Sequence, residues 1–215
     1  MKEIFRLCYV LTVIGAVCAT VMAFVDQKTK EPIEKSRAAE KMDAVKVVMP
    51  PSDNDLAKDT ITVKDTEAGL EMKFFRGTKD GVIVGASFNV VAPNGYAGNI
   101  EILVGVDTAG VVTGLEILRH AETPGLGSKI ATPKFKGQYI GKSINNPKTW
   151  AVNKDAGGTF VPITGATISS RAVTTAIASG LEFLEAHRAE VFGAPKAGAA
   201  KEPPAGKSPG SEGGR

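Results

Sequence analysis

Thr164-Gly165-Ala166-Thr167-Ile168-Ser169-Ser170-Arg171-Ala172-Val173 runs a hydroxyl-rich turn straight into an apolar-periodic segment. The spacing predicts a helix from about Ser169 to Val191, with Ala172, Val173, Ala176, Ile177, Gly180, Leu181 and Leu184 on one face. Packed on a sheet, that face holds the Thr167 turn at the sheet's edge. Thr167, Ser169 and Ser170 stand where side-chain oxygens cap the unpaired N–H groups of a helix start. The same N–H groups, at the positive end of the helix dipole, suit a phosphate. Gly165 permits positive φ or close approach of the backbone to a ligand. Taken alone, these features fit an ordinary N-cap more often than a phosphate seat.

Upstream the period changes. Between Asp53 and Val112 the chain shows short β-like runs, Ile61–Val63, Met72–Phe75, Val82–Val91 and Ile100–Val106, followed by Val111–Leu118. Lys79-Asp80-Gly81, Pro93-Asn94-Gly95 and Thr108-Ala109-Gly110 separate them as turns. This predicts an α+β fold, a meandering antiparallel sheet flanked by helices. In His120-Ala121-Glu122-Thr123-Pro124-Gly125-Leu126-Gly127, Thr-Pro-Gly-Leu suits a type II turn, with Pro fixing φ and Gly supplying positive φ. Such a turn places Glu122 and Thr123 and exposes backbone amides. On residue types alone it reads as a surface hairpin turn with a solvated carboxylate. Ser128–Phe135 reads as a short helix and Gly137–Gly141 as a connection. Trp150 and Val152 read as a strand before Asp155-Ala156-Gly157-Gly158, with Trp150 in the core. His187 is expected on the surface near the end of the last helix.

The ends of the chain differ from this middle. Leu7 to Val25 carries no charge and as a helix spans roughly 28 Å, close to a bilayer core. Its length and the polar stop at Asp26, Lys28 and Lys30 favour an uncleaved anchor over a signal peptide, although Val21-Met22-Ala23 offers small residues for cleavage. The flanking charges are too balanced to set orientation. Glu31 to Val48 is rich in Ala, Glu and Lys with helical periodicity; Pro32 suits a first turn and Pro50-Pro51 a stop. From Pro195 onward Pro, Gly, Lys and Ala dominate without periodicity, so disorder is expected. The organisation is thus a membrane anchor (1–30), a helical connector (31–52), a globular domain (53–193) and a tail (194–215).

Composition removes several function classes. The net charge is +3, with basic excess at both ends of the chain and a nearly neutral centre, which argues against nucleic-acid binding. Cys8 and Cys18 both lie in the anchor, so the domain has no disulfide, thiolate metal site or iron–sulfur cluster. His120 and His187 are far apart in sequence, and no metal site is expected. No Ser/His/Asp set appears, so no catalytic residue is assigned. The Gly-x-Gly-x-x-Gly dinucleotide fingerprint is also missing.

Three segments carry a resemblance. Thr164–Val173 resembles the flavinylation motif of the FMN-binding domain in the G subunit of the Rnf electron-transport complex, and is similar to that of the related C subunit of the Na⁺-translocating NADH:quinone reductase. His120–Gly127 resembles the segment that lies beside the flavin in that family, and Gly95–Asp107 is similar to its preceding strand. The matches fall in the family's order over roughly residues 90–190. One departure stands out: Val161 occupies a position where many such motifs have Asp.

The resemblance implies FMN held covalently by a phosphoester to Thr167, attached by a separate flavin transferase. Thr164, Gly165, Ala166 and Ser169 would surround the link, while Glu122, Thr123, Leu126 and Gly127 would lie near the flavin. Glu122 would hydrogen-bond the flavin or the turn. A threonine hydroxyl is a poor nucleophile without an adjacent base, which agrees with an outside enzyme making the bond. The implied function is electron transfer within an ion-translocating ferredoxin:NAD oxidoreductase of the inner membrane, beside its other components, with the domain on the periplasmic side. Alternatives are the C subunit of the quinone reductase, a stand-alone exported FMN redox or sensor protein, and an anchored structural module without cofactor.

Overall fold

A computed structural model describes residues 2–65, 69–144 and 147–193. Five strands, β1 (Thr60–Asp65), β2 (Leu70–Lys79), β3 (Val82–Ala92), β4 (Ile100–Asp107) and β5 (Val112–Arg119), form one sheet. Their order is β1-β2-β3-β4-β5 and every pairing is antiparallel, as the short turns between alternating runs require. The expected meander and the expected α+β class are both present. The tail beyond residue 193 lies outside the described residues.

Both faces of the sheet are covered, and the two-residue period of a strand sorts the side chains between them. Phe74, Phe88, Ile102 and Val104 point to a cluster completed by Val173, Ile177, Leu181 and Leu184 of α3 (Thr167–Ala186). Their neighbours Phe75 and Leu103 point the other way, into a cluster with Val45, Val48 and Met49 from the end of α1 (Lys2–Val48). Gly180 lets α3 approach closely: a Cβ there would lie 2.5 Å from a ring carbon of Phe88.

A line of glycines across the opposite face receives the end of α1. A Cβ at Gly77, Gly85, Gly105 or Gly114 would meet Met49 Cε at 2.5 Å, Pro50 Cγ at 2.8 Å, Val48 O at 2.1 Å and Val48 Cα at 2.5 Å respectively. Thr113 Oγ1 donates to Val48 O at 2.8 Å, satisfying a carbonyl that the helix end leaves open. The helix therefore ends on the sheet through van der Waals contact and a hydrogen bond.

Four local readings differ from the structure. α1 runs unbroken through Pro32 rather than restarting there. The carbonyl that loses its donor belongs to Lys28 on an exposed stretch, where water can replace the bond, and the Ala/Glu/Lys-rich flanks favour helix. The segment at Trp150–Val152 is not a strand; it makes one parallel bridge, Val152 to Phe160, around a tight loop. Gly158 sits against that loop, where a Cβ would lie 2.1 Å from Val152 O. The last helix breaks at His187, whose N–H is shared between Phe183 O and Leu184 O, and α4 (Arg188–Phe192) follows. His187 is half-buried, its ring stacked on Phe183 at 4.4 Å.

The His120–Gly127 segment leads into a 3₁₀ turn over Gly127–Ala131 and then α2 (Pro133–Gly137), where a short helix is expected over Ser128–Phe135. Trp150 is in the core, packed on Phe160 at 4.9 Å, with Nε1 donating to Ser143 O at 2.9 Å. Tyr139 stacks on the same Phe160, and its hydroxyl shares a 2.7 Å hydrogen bond with Thr174. Burial pushes the Tyr139 hydroxyl well above the ordinary tyrosine value. This aromatic cluster backs the N-terminal half of α3.

Candidate functional site

The turn before α3 is built from its glycine. Ala166 N donates to Ile163 O at 2.9 Å, and Gly165 takes φ +81° at the third turn position, the geometry of a type II turn. Ala166 is the N-cap and Thr167 the first helical residue, so the helix begins two residues earlier than its apolar period suggests. No side chain caps it, and its first turn holds no acidic residue. The three hydroxyls expected to cap have other partners. Ser170 Oγ donates to Ala166 O at 2.9 Å and accepts from Ile163 N at 3.0 Å, stapling the turn to the helix. Ser169 Oγ donates to Glu122 Oε2 at 2.7 Å. Thr167, half-buried, accepts from Lys154 Nζ at 3.1 Å.

Glu122 lies inside the fold, only 4 % exposed. Its second oxygen accepts from Ala97 N at 3.3 Å, and its own N–H donates to His120 Nδ1 at 3.3 Å. One carboxylate thus joins the β3–β4 loop, the His120–Gly127 segment and the start of α3. Two glycines make room for it: a Cβ on Gly127 would lie 2.4 Å from Oε2, and one on Gly95 would lie 2.8 Å from Oε1. Both oxygens serve protein donors, so the side chain acts on the turn, through Ser169.

The Thr123–Leu126 turn has the expected form, with Leu126 N donating to Thr123 O at 3.2 Å and Gly125 at φ +76°. Thr123 is exposed, as is Leu126 at 46 %, and a Cβ on Gly165 would lie 3.3 Å from Leu126 Cδ2. The two turns are therefore in contact. Thr164, Gly165, Ala166, Thr167, Ser169, Glu122, Leu126 and Gly127 form one edge of the domain, with Thr123 at its rim. Along the neighbouring side of α3 runs an apolar groove of about 660 Å³, bordered by Ile168, Ala172 and Thr175 on the helix and by Leu70 and Val91 on the strands.

Sequence reasoning missed one side of this edge. Arg171 grips Asp155 with two bonds, Nε to Oδ2 at 2.8 Å and Nη2 to Oδ1 at 2.7 Å. That pair lashes the 153–158 loop to α3 one turn after Thr167 and brings Lys154 to Thr167. The guanidinium holds the Asp155 carboxyl below its ordinary value, and the carboxylate raises Arg171 in return. Gln138 grips the backbone at Val161 from both sides, accepting from its N–H at 2.9 Å and donating to its carbonyl at 3.3 Å. The signal available in sequence was Arg171 one turn after Thr167, with Asp155 in a Gly-rich loop upstream. Among the described residues no cluster of His, Cys, Asp and Glu could hold a metal ion.

Residues 95–182 match the family model of the FMN-binding domain, a span that contains every residue of this edge. The chain is 36 % identical over 190 residues to the G subunit of the ion-translocating oxidoreductase complex of Aliivibrio fischeri, covering 84 % of this chain and 90 % of that one. To the G subunit of Vibrio vulnificus it is 36 % identical, covering 86 % and 92 %. To that of Shewanella oneidensis it is 35 % identical, covering 86 % and 91 %. Among solved structures, NqrC of Shewanella oneidensis aligns with a TM-score of 0.47 at 19 % identity, over 65 % of this chain and 74 % of that one. The C subunit of the Na⁺-translocating NADH-quinone reductase of Parabacteroides distasonis aligns at 0.47 and 22 %, over 65 % and 71 %.

Proposed function

This chain belongs to the G-subunit family of ion-translocating oxidoreductase complexes, and we propose on that premise that it relays electrons within an Rnf-type complex through FMN esterified to Thr167. The observation that carries the reading is the setting of Thr167. Its hydroxyl stands at the first position of a helix with no side-chain cap and no acidic first-turn residue, and its partner is a cation. A phosphate fits there: the helix end favours negative charge, the Lys154 ammonium faces the hydroxyl, and the neighbouring Glu122 and Asp155 carboxylates are engaged by Ser169 and Arg171. Gly165, lacking a Cβ, keeps the turn open beside Leu126.

FMN, when bound, supplies the electron chemistry, and the protein sets its place and its access to partners. Thr167 would hold the phosphate, with Thr164, Gly165, Ala166 and Ser169 around the link. Exposed Leu126 and Thr123 would border the flavin, and Glu122 and Gly127 would fix that border from inside. Among the described residues the Thr167 hydroxyl meets the Lys154 ammonium, which donates to it and cannot take its proton, and this supports attachment by a separate flavin transferase.

The rest of the chain supports a position at a membrane. α1 is long and apolar enough to cross a bilayer near its start. From Val25 to Val48 it continues as helix for about 35 Å, ending on the glycine line of the sheet. We assign residues 1–30 to the anchor, 31–52 to the connector and 53–193 to the FMN domain, and place that domain on the extracytoplasmic side. Membranes carrying a Thr167→Val chain should retain the assembled complex and lose ferredoxin-to-NAD electron transfer. Full electron transfer in those membranes would refute the relay role.

A further inference from the structure

We infer that Lys154 is the cation that holds the phosphate on Thr167, and that the Asp155–Arg171 pair is the positioning device that delivers it. The inference rests on the reading of Thr167 as the FMN acceptor.

Lys154 Nζ donates to Thr167 Oγ1 at 3.1 Å, across thirteen residues of sequence, and the ion pairs among the described residues include none with Lys154. Its neighbour Asp155, the obvious counter-ion, is occupied by Arg171 through both oxygens. An unneutralised ammonium is thus held at the one hydroxyl that would become an ester. A phosphodiester carries one negative charge at neutral pH, so one ammonium balances it. The loop that presents Lys154 is fixed by its backbone: Asn153 N donates to Phe160 O at 2.7 Å, Asp155 N to Val152 O at 2.8 Å, and Gly158 N to Asp155 O at 3.1 Å. The Asp155–Arg171 bonds then pin it to the helix that bears Thr167, one turn further on. Arg171 itself is committed to that pin, which leaves Lys154 as the free charge. Lysine binds phosphate as a point charge without the fixed fork of arginine, so charge is what the site needs from this residue.

The test uses the full chain in detergent, incubated with an active flavin transferase and FAD. Flavin loading is followed by intact mass, and the ³¹P resonance of the loaded protein is recorded. Lys154→Gln should slow loading by about tenfold, the order expected for losing one charge-assisted contact, and should move the ³¹P resonance. Lys154→Arg should keep both near wild type, and Asp155→Ala should change both in the direction of Lys154→Gln. Lys154 is exposed, so the two Lys154 variants should unfold at the wild-type temperature. Wild-type loading rate and ³¹P shift in Lys154→Gln would overturn the inference, as would equal defects in Lys154→Gln and Lys154→Arg. Failure of the wild-type chain to load at all is a different result, and removes the Thr167 reading itself.

Discussion

Replacing Glu122 with Ala tests the inner support of the site. The carboxylate is 4 % exposed and accepts from Ser169 Oγ at 2.7 Å and Ala97 N at 3.3 Å. Removing it leaves a buried hydroxyl and a backbone N–H without their acceptor. A short hydrogen bond to a charged group contributes about 1.5–3 kcal/mol, and the longer one falls near the lower end of about 0.5–1.5 kcal/mol. The side chain also fills the space between Gly95 and Gly127, so its loss leaves a small void. Together these put the cost at about 3 kcal/mol, or roughly 6–12 °C for a domain of this size. Glu122→Gln keeps the shape and one acceptor oxygen, and Ser169 can reorient its hydroxyl to accept from the new amide, so about 1 kcal/mol is expected. Trp150, the only tryptophan and buried, reports unfolding by fluorescence of the full chain in detergent. A Glu122→Ala transition within about 2 °C of wild type, or equal to that of Glu122→Gln, would refute the clamp.

Other positions give independent checks. Gly114→Ala should cost about 1–3 kcal/mol in thermal unfolding, because the new Cβ would sit 2.5 Å from Val48 Cα, a backbone atom that cannot swing aside. Tyr139→Phe removes one buried hydrogen bond to Thr174 while Thr174 Oγ1 keeps its bond to Ser170 O at 2.9 Å, so a loss of about 1 kcal/mol by denaturant titration is expected. Asp155 has a folded pKa depressed below 3.8, so its pin on the 153–158 loop is complete above 3.8 and is lost as the pH falls through the depressed value. Amide protection factors in that loop should fall over that window, and in Asp155→Asn they should be low at neutral pH as well.

The sheet was legible because its strands alternate and its turns carry glycine, as in Lys79-Asp80-Gly81. The apolar period of α3 likewise named its buried face, from Ala172 to Leu184. Capping was not legible: Ser and Thr at a helix start fit the cap pattern, yet Ser169 and Ser170 are drawn to Glu122 and to the turn backbone, which only the folded chain brings near. The line Gly77, Gly85, Gly105 and Gly114 reads in sequence as weak strand positions, and its purpose appears once Val48 lies across it. Pro32 misled because local propensity disfavours it within a helix, whereas an exposed helix tolerates it. Lys154 was invisible because a lone surface lysine has no pattern; its partner is thirteen residues away and is reached through an ion pair. Glu122 and Leu126 are singled out by resemblance to the family alone, and the structure places them on the same edge as Gly165.

In-gel fluorescence of the fully denatured chain tests most directly for a covalent flavin on Thr167. Wild-type protein co-expressed with a flavin transferase should give a fluorescent band at the position of the full chain, and Thr167→Val should give none at equal loading. No band from wild type, with the transferase active on a control substrate, or a band of equal strength from Thr167→Val, would contradict the account.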